Sequence, residues 1–232
     1  MKIVLKLLLL AAAAVLVVMC YQSIRIPVEF KEVTEAREAV IIQRLKDVRT
    51  LQEAHRDKYQ TYAATWDELV RFAKNDSLPI VQKIGSLTDY QLADGLNEKD
   101  AWMYLQDPKK YSKEIEKFQL DRATFSRDTI YVNVLQKDSS FLSRTDFNID
   151  SIKYVPFSQN RDTFELVIGS VETASGYVMQ LFEAKTEYQT YLSDLNEQEL
   201  ANKIDEKKQQ DKYPGLKVGD AEQANNNAGN WE

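Results

Sequence analysis

Apolar residues run almost without a break from Ile3 to Tyr21, with Lys6 the one charge among them and Lys2 just before the stretch. Such a segment directs a chain to a membrane. Pro27 follows it. Proline lacks an amide hydrogen and biases the preceding residue toward extended geometry, so a break or kink is expected there. From about Glu29 to Tyr59 the pattern turns helical: Ile41, Leu45, Val48, Leu51, His55, Tyr59 and Tyr62 recur at three- and four-residue steps on one face. Arg49 and Glu53, four apart, form a weak supporting pair on this helix. Thr65 with Glu68 three residues later is a capping-box signature, opening a short helix through Leu69, Val70 and Phe72 that ends near Asn75.

Beyond Pro79 the period changes. Residues 80–84 and 90–93 read as short strands around the Gly85–Ser86 turn, and residues 98–118 as helix interrupted by Pro108. Four better strands follow, at 129–136, 152–157, 163–171 and 177–184, the last three as consecutive antiparallel hairpins. Pro156 places its strand at an edge or a bulge. After Asp194 a polar helix carries Leu195, Leu200 and Ile204 as its few apolar residues. Residues 213–232 offer only Tyr213, Leu216, Val218 and Trp231 for burial, so this tail is expected to be disordered and dispensable for stability. The class is α+β: an N-terminal membrane helix, then a long amphipathic helix packed on an antiparallel β-meander. The expected divisions are an anchor or signal segment with its linker at 1–28, one domain at 29–212, and the tail.

The leader admits two readings. From Leu7 the apolar run is about fifteen residues, short of the roughly 20 that span a bilayer unless Lys6 snorkels. Val18 and Cys20 make a poor cleavage site, which favours a retained anchor over a cleaved signal. Cys20 ends the run where a lipid-modified cysteine would stand, although Val17, Val18 and Met19 are bulky where a lipoprotein signal carries small residues. With Lys2 and Lys6 retained on the cytoplasmic side, everything after Tyr21 is expected outside the cytoplasm.

Charge and composition narrow the chemistry. Lys plus Arg total 30 against 36 Asp plus Glu, a net charge of −6, which disfavours nucleic acid as a partner. Cysteine and histidine occur once each, at Cys20 and His55, which removes disulfide frameworks, Cys/His zinc sites and most imidazole chemistry. Glu53 and Asp57 flank His55 but lie on other faces of the helix, so the ring reads as a packed or interfacial histidine. No serine elbow or phosphate-binding glycine loop is present. No cofactor, metal or catalytic residue is expected. Asp76-Ser77-Leu78, Asp128-Thr129-Ile130 and Asp150-Ser151-Ile152 resemble an envelope O-glycosylation triplet and read plainly as loop-to-strand junctions.

An apolar helix, an amphipathic helix, a short connection with Tyr62 and then an antiparallel sheet together resemble a type IV pilin or a type II secretion pseudopilin. Locally, Leu45, Arg49, Gln52, Tyr59, Tyr62 and Leu69 carry the similarity. The prepilin-peptidase glycine and the glutamate of the mature apolar helix are missing; Lys6–Leu7 is the nearest equivalent. The reading is therefore a membrane-anchored extracytoplasmic structural or assembly component acting through protein contacts. A pilin-like fibre subunit and a periplasmic enzyme are the alternatives. Residues 3–21 would meet the bilayer, and the helix at 29–59 would meet envelope proteins or a second copy. Arg37 and Arg44, which fall toward the apolar arc nearest the membrane, are the candidate partner-binding residues.

Overall fold

The computed structural model describes residues 2–232. Its elements in chain order are α1 (Lys2–Tyr59), α2 (Trp66–Asn75), β1 (Ser77–Ile84), α3 (Asp89–Ala93), α4 (Glu98–Gln106), α5 (Ser112–Phe118), β2 (Ser126–Asn133), α6 (Val134–Lys137), α7 (Ser139–Leu142), a 3-10 turn (Ile149–Ser151), β3 (Glu165–Glu172), β4 (Val178–Glu187), α8 (Tyr188–Leu192), α9 (Glu197–Gln209) and β5 (Gly215–Gly219). The α+β class holds, with a long N-terminal helix and antiparallel sheets. The chain forms two compact units: unit 1 comprises the residues up to Ala73 together with Thr145–Glu232, and unit 2 is Lys74–Arg144.

In unit 1, α1 continues as helix through Pro27, so of the break or kink expected there no break occurs. Proline forfeits one helical bond, to the Ser23 carbonyl, and the helix continues on either side of it. Further on, Ile41, Leu45, Val48 and Leu51 are fully buried, so the apolar stripe read from the sequence is the face that packs. The sheet has the order β3-β4-β5, all antiparallel. Its inner face carries Phe182, Ala184 and Val218, each fully buried, with Leu216 beside them.

Residues 152–157, read as a strand, are replaced by the 3-10 turn and a single bridge, Tyr154↔Thr163. Flanking bonds from Val155 N to Asp162 O and from Phe164 N to Lys153 O complete a minimal hairpin, which Pro156 then stops. The outer face of the sheet is laced by charge: Lys185 lies between Glu165 and Glu183, and Lys217 between Glu183 and Asp220. The chain then folds back across β3, where a Cβ on Gly169 would stand 1.9 Å from the Ala221 carbonyl oxygen. Only glycine fits there.

Unit 2 has its own core of Leu87, Leu96, Ala101, Leu105, Phe118, Leu120 and Phe125, with Trp102 and Ile115 packed on it. The helix expected at 98–118 is α4 and α5, divided around Pro108. Residues 90–93 are helical and not a strand, because Thr88 and Gln91 form a reciprocal capping box that opens α3. The strand expected at 129–136 starts and ends earlier. Asn133 Oδ1 accepts from Leu135 N and turns the chain into α6. β2 pairs with β1 alone, in an eight-residue antiparallel ribbon.

Candidate functional site

From Leu9 to Val28 the large apolar side chains of α1 point into solvent; Leu10, Val17 and Ile24 are each about 70% exposed. Between Lys6 and Arg25 lie eighteen residues without a charge. At 1.5 Å per residue they cover about 27 Å, close to a hydrocarbon core. This is a helix long and apolar enough to cross a membrane. Cys20 sits exposed on it.

Both candidate arginines are engaged within unit 1. Arg37 grips Asp194 with both nitrogens, Nη1 to Oδ1 at 2.5 Å and Nη2 to Oδ2 at 2.7 Å, and Nη1 also donates to the Tyr191 carbonyl at 2.6 Å. The Phe157 ring lies 5.2 Å from its guanidinium. Arg44 donates to the carbonyls of Tyr154 and Ser151 at 2.8 and 3.2 Å. The charges within the apolar stripe therefore have an intramolecular destination, a carboxylate and three carbonyls of the same chain. As partner-binding candidates, Arg37 and Arg44 therefore already hold partners within unit 1. Thr34 is already buried at 2% exposure, so the fold covers α1 earlier than the sequence suggested.

His55 is buried at 3% exposure between Tyr59 and Phe72, whose ring centroids both lie 4.9 Å away. Its Nδ1 is 2.6 Å from the Thr61 carbonyl, which can only accept, so the proton sits on Nδ1. Nε2 is 3.7 Å from Glu68 Oε1, a carboxylate on α2 rather than a neighbour on α1. Glu68 meanwhile accepts from Ala64 N, and Thr65 Oγ1 from Glu68 N, a variant of the predicted cap. Beside the histidine, fully buried Gln52 accepts from Ala63 N at 2.8 Å and donates to Ala63 O at 3.0 Å. It replaces a strand partner for the α1–α2 connection.

The largest departure from expectation is residues 213–232. Lys217 exchanges bonds with Asn230, Gly219 N donates to the Ala228 carbonyl, and Asn230 Nδ2 donates to the Gly215 carbonyl, so this segment closes the open edge of β5. It is also clasped to α1. Arg49 donates to Glu232 Oε1 at 2.9 Å, and Asn227, 9% exposed, bonds Glu53 and the Tyr62 hydroxyl. Arg49 and Glu53 thus serve the clasp and not each other. Apolar content misled here, because asparagine side chains satisfy the backbone instead. Asn226 and Asn227 adopt positive φ of 56° and 57°, which asparagine tolerates.

Between α1, α9 and the C-terminal segment lies a cleft of about 420 Å³, lined by Glu38, Tyr188, Lys203, Tyr213 and Trp231. Glu38 pairs with Lys203 at 3.0 Å and accepts from the Tyr191 hydroxyl. Burial, aided by Glu38, pushes the Tyr188 hydroxyl up to about 12. Among the described residues no three His, Cys, Asp or Glu side chains are grouped to hold a metal ion.

The clasps carry a pH dependence. The hydrogen bond from Arg37 holds Asp194 below the ordinary carboxylate range, and Arg49 does the same for Glu232. A carboxylate depressed in the folded state contributes stability above its unfolded pKa of about 4, lost as pH falls through the folded value. Thermal midpoints should therefore hold from neutral pH to about 5 and drop on further acidification. Arg37→Met, which removes the partner of Asp194, should start lower and drop less steeply. No family model, curated protein or solved structure matches this chain.

Proposed function

We propose that this protein is a membrane-anchored, extracytoplasmic structural or assembly component of the cell envelope, working through protein contacts. One observation carries the reading: α1 is continuous helix from its exposed apolar turns, through Pro27, into the core of unit 1. The apolar stretch and the packed stretch thus belong to one helix of fifty-eight residues. Such a continuous connection suits a component that holds position for others. The charge bias of Lys2 and Lys6 favours export of the fold. A reporter fused after residue 60 should be active only outside the cytoplasm, and the full chain should resist alkaline extraction from membranes. Cytoplasmic activity of that fusion would overturn the reading.

A second reading, a pilin-like fibre subunit, is favoured by the division of α1 into an exposed apolar half and a half packed on an antiparallel sheet. Shearing of intact cells separates the two. Release of polymer supports the fibre, and retention of all the protein in the membrane supports the anchored component.

A further inference from the structure

The β1–β2 ribbon of unit 2 is unfinished as a sheet. A lone two-stranded pair is marginal in water and is normally completed by a third strand or a covering layer. Here apolar side chains stand in solvent on both faces: Val81 at 50% and Tyr131 at 73% exposure on one, Ile84 at 43% and Ile130 at 39% on the other. The register shows which backbone groups are left over. Val134 N bonds Asp76 O, one step beyond the Ser77↔Asn133 pair, so the mutually bonded residues are the even-numbered ones. The amides and carbonyls of Thr129 and Tyr131 on β2, and of Val81 and Lys83 on β1, therefore point outward. Among the described residues no backbone bond reaches them from another segment.

The two edges are not equivalent. On β1 one outward position is Pro79, which has no N–H to give, and another is Lys83, a charge that guards an edge. On β2 the run Thr129–Val132 is β-branched or aromatic throughout, without charge, proline or glycine. What fits there is an extended strand, because the unmet groups are backbone donors and acceptors.

We infer that the β2 edge pairs with the β2 edge of a second copy of this chain, antiparallel, about a two-fold axis at Ile130. In that register each outward residue meets another: Thr129 exchanges bonds with Tyr131 of the second copy and Tyr131 with its Thr129. Ile130 faces Ile130, and Asp128 falls opposite Val132, so no like charges are opposed. Net charge points the same way. Unit 2 carries eleven Lys and Arg against eleven Asp and Glu, so two copies do not repel there, whereas unit 1 carries the whole −6. Anchors in one membrane raise the effective concentration of this short contact. The inference rests on the anchored reading only for that shared membrane. The reporter fusion tests the anchoring separately, so a failed cross-link in an exported chain rejects the pairing alone.

Opposed residues of a non-hydrogen-bonded antiparallel pair have Cα atoms about 4.5 Å apart, within disulfide reach. In full-length chain in its native membrane, with Cys20→Ala, Ile130→Cys should give a disulfide-linked homodimer on mild oxidation. Leu142→Cys, at a more exposed position of the same unit, should not. Thr129→Pro removes only an outward N–H and Ile130→Lys sets like charges at the axis. Either should lower homodimer recovery about tenfold, read for Thr129→Pro through Ile130→Cys and for Ile130→Lys through amine-reactive cross-linking of the intact chain. Unchanged melting temperatures in both variants would show the ribbon intact. Ile130→Cys dimerising no more than Leu142→Cys, cross-linking to a different protein, or dimer surviving both edge variants would overturn the pairing.

Discussion

Deletion of residues 225–232 should destabilise unit 1 by about 3–5 kcal/mol. At roughly 2–4 °C per kcal/mol for a unit of this size, the midpoint falls by about 10 °C. The deletion removes the bonds that close β5, strips the buried Asn227 from Glu53 and Tyr62, and leaves Arg49 without Glu232. Each backbone bond lost to water is small, but Glu53 and Tyr62 are left with one partner fewer in a covered place. Calorimetry of the chain without its apolar N-terminal stretch, with and without the segment, checks this. A midpoint changed by less than 2 °C would show the clasp to be decoration. Asn227→Ala alone should account for about 1–3 kcal/mol of the loss.

The second large effect is expected at Gln52. Gln52→Leu keeps approximate volume and deletes both side-chain bonds to Ala63, leaving a buried amide and a buried carbonyl unmet. The expected cost is about 2–5 kcal/mol, more than an apolar replacement at a buried site normally incurs. Gln52→Glu should fail as well, because a carboxylate cannot donate to the Ala63 carbonyl. Urea denaturation with an unchanged m-value would assign the loss to stability rather than to a changed denatured state.

How far the sequence could be read depended on the kind of interaction holding each part. The packed face of α1 was legible because periodic apolar residues at Ile41, Leu45, Val48 and Leu51 announce burial, and all four are fully buried. The α2 start was legible because its cap is local. β3 and β4 lie within a few residues of their expected places for the same reason, a short glycine turn between alternating strands. β5 and the clasp were illegible. Their partners are far away in sequence and their chemistry is asparagine to backbone, which a count of apolar residues scores as disorder. The sequence places Arg37 and Arg44 near the apolar arc of α1, but nothing local to α1 names Asp194 or the Tyr154 carbonyl as what they bind. The separateness of unit 2 was hidden because its core residues blend into the run of the chain.

The clasp also sets an order of events during folding. Arg49 and Glu232 are separated by 183 positions, and contacts of such range are slow to form because the intervening chain must first be gathered in. Unit 2 lies inside that loop, and its core and ribbon are built from closer neighbours. A collapsed unit 2 would shorten the distance the ends must search, which favours its forming first. Unit 1 can close its clasp only when its two halves, which lie on either side of unit 2 in the sequence, have come together.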